Sequence, residues 1–320
     1  MSSIKKYLSL VKFSHTIFAM PFAVIGFFLG VTSIGFWQTL TGQNSFAWFS
    51  GSVPNFSGYP KSYTEFLIRF ILVIFCMIFA RSAAMAFNRY LDRSFDAKNP
   101  RTAIREIPAG IISSESALRF VIINCLLFIG TTFFINWLCF FLSPIALFVI
   151  LFYSYTKRFT PLCHLVLGIG LSLAPIGAYL AVTGAFALLP ILFSFAVIFW
   201  VSGFDIIYAL QDVEFDKSQK LFSMPAWLGK AKALKVSELL HVLSALCVVF
   251  AGEYGHFGWW YWIGIAVFIG MLFYQHSIVK PNDLSKVNIA FMTANGIASV
   301  VFSVFVLLDI FLSHHSNPIY

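Results

Sequence analysis

The sequence predicts an all-α integral membrane protein with nine transmembrane helices. Hydrophobic residues make up 59% of the 320 positions, charged residues only 11%, and the mean hydropathy is +0.85, values outside the usual balance of a soluble domain. Nine apolar stretches are long enough to cross about 30 Å of hydrocarbon, which takes roughly 20 residues of helix. They lie near residues 14–35, 66–87, 117–135, 138–156, 162–182, 187–209, 233–251, 259–279 and 288–311. The third and fourth stretches are separated by little more than Asn136 and Trp137.

Basic residues fall mostly on one side of these nine predicted helices. If the N-terminus lies inside, only Lys61 and Arg69 lie on the outer side, and Asp309, near the outer end of the last span, is expected to face water. This bias follows the positive-inside rule and predicts an N-in, C-out topology. The net charge of +8 then belongs to cytoplasmic loops that face anionic lipid and an anionic substrate, and it does not point to nucleic acid. The inner basic residues are Lys5, Lys6, Lys12 and those of segments 81–119, 157–158, 217–235 and 280–286.

We expect one membrane domain over residues 1–320, because no linker divides the chain. Lysines precede the first apolar span, but that span is too long for a signal peptide and no small-residue cleavage site follows it. The start also lacks the arginines of a mitochondrial transit peptide. The simplest location is therefore a bacterial plasma (inner) membrane.

Two predicted cytoplasmic loops, near residues 87–112 and 205–232, hold most of the charged residues, and their similar plan suggests a weak internal duplication. In the first loop Asn88, Asp92 and Asp96 recur at a spacing of four, which places them on one side of a helix. Carboxylates so placed repel each other unless a cation lies between them, and hard oxygen ligands suit Mg²⁺. This acidic stretch therefore predicts a magnesium site.

Two arginines follow the acidic stretch. Arg101 and Arg105 lie a few residues further along, an arrangement that can hold a diphosphate between metal ions and cations. The alternative is a solvated loop in which Asp92 forms ion pairs on the helix surface with Arg89 or Arg93.

A second acidic stretch lies at the same predicted membrane face. It contains Asp205, Tyr208, Asp212 and Asp216 and repeats the spacing of the first stretch. Two sites would rarely face each other by chance, so the repetition favours the reading as a metal and diphosphate site over a solvated loop.

A third element lies at the inner end of the fourth predicted span. Residues 153–158 place Lys157 and Arg158 where they can reach the same pocket. The alternative is that both side chains extend from a helix end towards water, as basic residues commonly do at a membrane surface.

Four passages, taken together and in this order, resemble the UbiA superfamily of intramembrane aromatic prenyltransferases. They are residues 12–23 (KFSHTIFAMPFA), Asn88 to Asp96 followed by Pro100 to Gly110, Tyr153 to Arg158, and Asp205 to Asp216. The resemblance covers nearly the whole chain and is closest to the 4-hydroxybenzoate polyprenyltransferase branch. The first acidic pattern alone is a weak signal, but the four passages in order are highly specific.

The resemblance implies nine transmembrane helices around a central cavity that opens sideways to lipid, with the two Asp-rich motifs closing its cytoplasmic end. It also implies two Mg²⁺ ions that bridge the substrate diphosphate. Their ligands would be Asn88, Asp92, Asp96, Asp212 and Asp216.

By the same resemblance, the other polar residues fall into two groups. The residues expected to contact the diphosphate are Arg101, Arg105 and Lys157. The residues expected to orient an aromatic acid are Arg158, Asp205 and Tyr208. One departure from the family pattern is Glu106, at a position that is often arginine, and it leaves open how this loop meets the phosphates.

The implied activity is Mg²⁺-dependent transfer of a polyprenyl group from polyprenyl diphosphate to the ring of 4-hydroxybenzoate, or a close analogue, in quinone biosynthesis. Metal ions and cations neutralise the charge that grows on diphosphate as the allylic C1–O bond breaks. The ring carbon ortho to the phenol then attacks C1, and Asp205 assists the loss of the ring proton. The expected partners are polyprenyl diphosphate, an aromatic carboxylic acid and membrane lipid.

Two alternatives stay open at this point. The acceptor is a dihydroxynaphthoate of a menaquinone pathway, including the futalosine route, if the chain belongs to a related branch with the same motifs. The other alternative is a membrane transporter, although transporters tend to place such charged groups near the bilayer midplane on broken helices. Here the charged residues gather at the inner ends of the spans, which favours an enzyme.

Overall fold

The chain folds into a succession of α-helices, most of them long and apolar. The structure is a computed structural model that describes residues 3–11, 18–33, 60 and 62–312, and this part of the chain contains no β-strand. The helices are α1 (Ser3–Leu10), α2 (Met20–Ser33), α3 (Tyr63–Leu91), α4 (Arg93–Lys98), α5 (Ser114–Ile135), α6 (Trp137–Thr156), α7 (Cys163–Thr183), α8 (Leu188–Ala209), α9 (Val213–Ser218), α10 (Met224–Leu228), α11 (Lys230–Tyr254), α12 (Trp259–Ile278) and α13 (Asn295–Leu312). A 3₁₀ turn, Leu210–Asp212, follows α8, and a π-helical segment, Ile289–Ala294, precedes α13.

Eight helices in the described ranges are long and apolar enough to cross a membrane. They correspond to eight of the nine predicted spans, so the all-helical membrane class is confirmed. The first predicted span, residues 14–35, corresponds to α2, which has only 14 residues in the described part. That length is shorter than the roughly 20 residues needed to cross the hydrocarbon core, so the count of nine stays a prediction.

The break between the third and fourth predicted spans lies at Asn136. Its side-chain oxygen accepts a hydrogen bond from the Cys139 amide at 2.8 Å and so caps the start of α6. Its Nδ2 donates to the Leu180 carbonyl at 2.9 Å, near the end of α7. One polar residue therefore ends α5, starts α6 and ties both to a neighbouring helix, which explains why the connection is so short.

Arg69, one of the two basic residues predicted to lie on the outer side, contacts the end of α7. Arg69 donates to the carbonyls of Ala181 at 3.3 Å and Val182 at 3.4 Å, in the last turn of α7. Carbonyls at a helix C-terminus lack intrahelical donors and carry partial negative charge. A guanidinium there supplies both a hydrogen-bond donor and a positive charge.

Helix α8 lies at the centre of the bundle, packed against α7 and α11. Trp200, near its middle, is fully buried among aromatic rings that include Phe22 and Phe268. Because α8 is surrounded on most sides, its C-terminal end is held firmly. That end carries Asp205 and Tyr208, which lie on the last turns of the helix rather than in the loop that begins after it.

A buried polar network stabilises the π-helical segment beside α8. The side-chain oxygen of Asn295 accepts hydrogen bonds from Trp200 Nε1 at 2.9 Å and from Gln275 Nε2 at 2.8 Å. Its Nδ2 donates to the Phe291 carbonyl at 2.9 Å. The ring of Phe291 lies 4.3 Å from that of Tyr208, measured between centroids, so the segment supports the C-terminal end of α8.

Asp309 is fully buried, so the expectation that it faces water is wrong. Its carboxylate accepts hydrogen bonds from the amides of Gly258 at 2.8 Å and Tyr261 at 3.4 Å, which caps the start of α12 from another helix. The free amides of a helix start attract a carboxylate, and this attraction explains the burial of a charged residue near the end of the last span.

Substituting Asp309→Ala is expected to destabilise the protein by about 2 kcal/mol, because the amides of Gly258 and Tyr261 lose their acceptor. Asp309→Asn keeps an acceptor oxygen and should recover most of that loss. Thermal unfolding in detergent will measure both variants. A loss of the same size in Asp309→Asn would show that the negative charge, and not the cap, provides the stability.

Candidate active site

The two Asp-rich motifs share one local backbone conformation. In each, the first aspartate of an Asp-x-x-x-Asp pair directly precedes a helix of six residues that carries the second. Helix α3 ends at Leu91, next to Asp92, whereas Asp212 ends the 3₁₀ turn that follows α8. The first aspartates are Asp92 (φ −90°, ψ 5°) and Asp212 (φ −103°, ψ 5°), both in the sparsely populated bridge region. The second aspartates, Asp96 and Asp216, are 6% and 0% exposed. This shared geometry supports the internal duplication suggested by the sequence.

The first motif is not one continuous helix, although its spacing is helical. The backbone amide of Asp92 donates to the Asn88 carbonyl at 2.9 Å, and that of Asp96 donates to the Asp92 carbonyl at 2.8 Å. Asn88 Nδ2 also donates to Asp92 Oδ2 at 3.2 Å. The spacing of four therefore keeps the three side chains close, while the change of conformation at Asp92 turns Asp96 into the protein.

Four aspartates of the two motifs are each paired with a different cation. Arg101 pairs with Asp212 through two hydrogen bonds, one of them from Nε to Oδ1 at 3.1 Å. The other pairs are Arg105 Nη1 to Asp96 Oδ1 at 2.7 Å, Lys157 Nζ to Asp216 Oδ1 at 2.7 Å, and Arg158 Nη2 to Asp92 Oδ1 at 2.8 Å. The predicted metal ligands and the predicted diphosphate contacts thus form one cluster of opposite charges.

These pairs connect the three sequence elements. Arg101, from the first loop, reaches the second motif, so the two Asp-rich motifs lie side by side. Lys157 and Arg158 are adjacent in the chain, yet Lys157 pairs with the second motif and Arg158 with the first. The third element therefore contacts both motifs.

The alternative ion pairs of Asp92 with Arg89 or Arg93 do not form. Arg93 Nη1 donates to the Tyr90 carbonyl at 2.7 Å, and Arg89 is only 3% exposed. The partner of Asp92 is instead Arg158, whose Nη2 also donates to the Leu91 carbonyl at 3.1 Å. The first acidic stretch is therefore not an independent solvated loop.

Burial and charge pairing act in opposite directions on these side chains. Burial raises the pKa of the Asp92 carboxyl above its ordinary value, and the Arg158 guanidinium opposes that rise. For Lys157, burial lowers the pKa, but Asp216 more than offsets this and the net shift is upward. Lys157 therefore keeps its charge while largely buried.

Oxygen donors of the two motifs fit Mg²⁺ by their chemistry. Within the described ranges, no three His, Cys, Asp or Glu side chains converge closely enough to hold a metal ion by themselves. Mg²⁺ usually takes one or two carboxylates together with substrate phosphates and seldom an all-protein cage. The hard carboxylate and amide oxygens at the motifs are thus suited to Mg²⁺ that binds together with a phosphate group.

Tyr208 lies beside the Arg101–Asp212 pair. Its hydroxyl accepts a hydrogen bond from Arg101 Nη1 at 3.0 Å. Asn99, from the first loop, adds a weak contact from Nδ2 to Asp212 Oδ1 at 3.4 Å. Tyr208 therefore contacts the residues predicted to bind metal and diphosphate. It also lies one helical turn after Asp205, which is predicted to orient the aromatic acid.

The sequence analysis missed His164, which pairs with Asp205. His164 Nδ1 lies 2.7 Å from Asp205 Oδ2, and the histidine side chain is 4% exposed. The available signal was weak, because a histidine at the very start of an apolar span can direct its polar tip to water and needs no function. The contact joins α7 to α8 across 41 positions of sequence.

Arg81 was also missed as a site residue. It lies on α3, seven residues before Asn88 and so on the same helical face. Its Nε is buried and has no hydrogen-bond partner in the described structure. Tyr153 interacts electrostatically with Arg81, Asp92 and Asp205, which places Arg81 next to the site. Its position well inside an apolar span was the available signal, since charged residues there are rare and mark functional sites.

Glu106 contacts helix α1. Its carboxylate accepts a hydrogen bond from the Ser9 hydroxyl of α1. On the same side, Leu10 is fully buried in a cluster with Ile107 and Ile112. Glu106, the residue that departs from the family pattern, therefore anchors the loop to α1, while the neighbouring Arg105 contacts Asp96. Within the passage of residues 12–23, residues 12–17, with His15, lie outside the described ranges.

Comparison with known proteins agrees with this arrangement. A sequence model of the UbiA prenyltransferase family matches residues 56–297. The chain is 31% identical, over 248 residues, to the 4-hydroxybenzoate octaprenyltransferase of Nitrosomonas europaea, covering 77% of this chain and 85% of that protein.

Solved structures share the fold. A UbiA homolog from Aeropyrum pernix K1, in an apo structure, superposes with a TM-score of 0.71 at 27% identity, covering 94% of this chain and 98% of that one. A UbiA homolog from Archaeoglobus fulgidus, bound to GPP and Mg²⁺, has a TM-score of 0.67 at 21% identity, with 96% and 100% covered. Sequence, fold and the meeting of the two Asp-rich motifs therefore lead to one conclusion: the chain belongs to the UbiA prenyltransferase family and is a multi-pass membrane enzyme.

Proposed function

We propose that the enzyme transfers a polyprenyl group from polyprenyl diphosphate to the ring of 4-hydroxybenzoate, or a close analogue, with Mg²⁺ as cofactor. The observation that carries this proposal is the cluster of four aspartate–cation pairs that joins three separate sequence elements. The similarity to the 4-hydroxybenzoate octaprenyltransferase of Nitrosomonas europaea supports the acceptor. The Archaeoglobus fulgidus homolog, whose structure contains GPP and Mg²⁺, supports the donor and the metal.

The two Asp-rich motifs are proposed to bind Mg²⁺ together with the diphosphate. When bound, Mg²⁺ supplies positive charge that stabilises the leaving diphosphate. The proposed ligands are Asn88, Asp92, Asp96, Asp212 and Asp216.

Three of the cations that pair with these aspartates are proposed to contact the diphosphate oxygens. They are Arg101, Arg105 and Lys157. Each is already held at the site by a carboxylate, so little side-chain ordering remains when the substrate arrives. As the allylic C1–O bond breaks, its electron pair stays on the diphosphate, and hydrogen bonds from these cations strengthen with the growing charge.

The aromatic acid is proposed to lie next to Asp205 and Tyr208, on the opposite side of Asp92 from the diphosphate. Arg158 keeps the role proposed from the sequence only in part, because Asp92 and two backbone carbonyls occupy its guanidinium. Arg81 is the better group to receive the carboxylate of the aromatic acid. A guanidinium whose buried Nε lacks a partner gains most from a planar anion that can bind in a bidentate manner.

Substituting Arg81→Met is expected to raise the KM for the aromatic acid at least about tenfold, because a hydrogen bond to a charged group is lost. The KM for the prenyl diphosphate should change by less than about twofold, since the charged cluster is untouched. Steady-state kinetics in lipid will separate the two values. Arg119→Met, which removes an exposed arginine on α5, is the matched control. An equal rise in both KM values would contradict the assignment.

Bond formation and proton loss complete the proposed reaction. The ring carbon ortho to the phenol supplies the electrons of the new bond to C1 of the prenyl group, close behind departure of the diphosphate. Asp205 takes the proton released from that ring carbon, which restores the aromatic ring. The products are the prenylated acid and diphosphate, and the carboxylic acid of Asp205 later returns its proton to water.

We propose an N-in, C-out topology in a bacterial inner membrane, with the charged cluster towards the cytoplasm. The inner side is where the sequence concentrates its basic residues. Membership of a prenyltransferase family excludes the transporter alternative, whereas a dihydroxynaphthoate remains the alternative acceptor.

The test is product formation by the purified protein in lipid vesicles with a polyprenyl diphosphate and Mg²⁺. 4-Hydroxybenzoate and a dihydroxynaphthoate are supplied in separate reactions, and products are identified by mass spectrometry. We expect prenylated 4-hydroxybenzoate that disappears on chelation of Mg²⁺. Product from the dihydroxynaphthoate alone would overturn the proposed acceptor, and turnover that persists with chelator would overturn the proposed cofactor.

A further inference from the structure

His164 is held between a side chain of the site and the backbone of the loop after the second motif. Its Nδ1 lies 2.7 Å from Asp205 Oδ2. On the other side of the ring, its Nε2 accepts a hydrogen bond from the Met224 amide at 3.2 Å. Both ring nitrogens are therefore in use, and the ring is buried, so its orientation is determined by the structure.

These two contacts define the hydrogen-bonding roles of the two ring nitrogens. A backbone amide can only donate, so Nε2 must carry a lone pair. The single ring hydrogen of the neutral form is then on Nδ1, where it is donated to the Asp205 carboxylate. A doubly protonated ring would place the N–H of Nε2 against the N–H of Met224, which is unfavourable.

This arrangement makes Asp205 different from the other four aspartates of the site. Asp92, Asp96, Asp212 and Asp216 are each paired with arginine or lysine. The partner of Asp205 is a neutral donor, so its negative charge is oriented but not cancelled. Its side chain also keeps 24% of its surface accessible, so a substrate can reach it.

The segment that contacts His164 also contacts the charged cluster. The Phe222 amide donates to the Lys157 carbonyl at 2.8 Å, and the Ser223 hydroxyl donates to Asp216 Oδ2 at 2.8 Å. Met224, the next residue, donates to His164. Three consecutive residues thus hold the imidazole in register with the second Asp-rich motif.

We propose that His164 is a positioning residue for the acceptor half of the reaction. Its neutral Nδ1–H form orients the carboxylate of Asp205 towards the aromatic acid and leaves that carboxylate free to accept the ring proton. This inference rests on the proposed function, in which Asp205 is the group that accepts the proton. Carboxylate–histidine pairs can act in this way, because the hydrogen bond between the two groups holds each in a defined orientation.

Two substitutions separate orientation of Asp205 from support of the loop. His164→Asn places an amide donor near the position of Nδ1 and removes the acceptor of the Met224 amide. His164→Gln places an acceptor near the position of Nε2 and removes the donor to Asp205. Each variant therefore keeps one of the two hydrogen bonds of His164 and loses the other. If His164 only supported the loop, His164→Gln would be the more active variant.

We expect kcat with saturating aromatic acid to fall less than about fivefold in His164→Asn and at least about thirtyfold in His164→Gln. The KM for prenyl diphosphate should stay within about twofold in both, because the charged cluster keeps its partners. The wild-type enzyme is assayed first, so absence of any turnover there counts against the proposed function and not against this inference. The reverse order of the two variants, or equal losses in both, would overturn the positioning role.

A second measurement uses the unaltered ring and does not depend on folding of the His164 variants. Nitrogen NMR of histidine-labelled protein in lipid distinguishes the Nδ1–H form from the Nε2–H form and from the imidazolium. The signal of His164 is identified by its shift in Asp205→Asn. We expect the Nδ1–H form at neutral pH, and either of the other forms would overturn the inference.

Discussion

Substituting Asp212→Asn is expected to lower kcat at least about a hundredfold and to raise the Mg²⁺ concentration needed for half-maximal activity. Asparagine has nearly the same size as aspartate, so packing changes little. It lacks the negative charge, however, and it leaves Arg101 without the carboxylate that binds it through two hydrogen bonds. Both the proposed metal ligand and the position of a proposed diphosphate contact are therefore lost together. Product formation across a Mg²⁺ titration will measure the effect.

Glu214→Gln is the matched control for this variant. It removes the same charge two residues away, at an exposed position on α9. We expect its kcat and its Mg²⁺ requirement to stay close to those of the wild type, because exposed charges contribute little. A loss of activity in Asp212→Asn with an unchanged Mg²⁺ requirement would show that Asp212 acts through Arg101 and not as a metal ligand.

Substituting Lys157→Met is expected to lower both stability and activity. Asp216 is fully buried, and Lys157 provides the only cation within 4.0 Å of it in the described structure. Removing that cation leaves a buried carboxylate with the Ser223 hydroxyl as its remaining side-chain donor. Because Lys157 itself is about one-third exposed, we expect a loss of about 2 kcal/mol, less than for a fully buried pair.

The activity loss should appear in the donor half of the reaction. A proposed diphosphate contact is missing, so the KM for prenyl diphosphate is expected to rise about tenfold or more while the KM for the aromatic acid stays nearly constant. Thermal unfolding in detergent and steady-state kinetics test the two parts. Lys217→Met removes an exposed lysine beside Asp216 and should alter neither quantity. A normal KM for prenyl diphosphate in Lys157→Met would restrict Lys157 to a structural role.

A reading of the sequence was sufficient for the membrane class and for the positions of eight of the nine predicted spans. Both depend on the length and composition of continuous segments, and these are local properties. The acidic motifs were found for a similar reason, since a spacing of four is a property of a single helix. The change of conformation at Asp92 and Asp212 was not predictable, because the spacing continues through it.

Contacts between distant parts of the chain account for what the sequence analysis missed. His164 meets Asp205 across 41 positions, and Asp309 meets Gly258 across 51. Neither contact leaves a periodic pattern, because each depends on which helices pack together and in what register. Glu106 is a similar case, since its meaning depends on the position of α1, 97 residues earlier at Ser9.

The sequence by itself determined which residues carry charge at the ends of the spans, and it identified the family to which the chain belongs. The tertiary structure alone decided how those charges pair: Arg101 with Asp212 across 111 positions, and Lys157 and Arg158 with opposite motifs. The physical reason is that hydrophobic length and helical spacing act within one segment. Ion pairing in a membrane protein depends instead on helix packing, which brings opposite charges together because leaving them apart in a low dielectric is unfavourable.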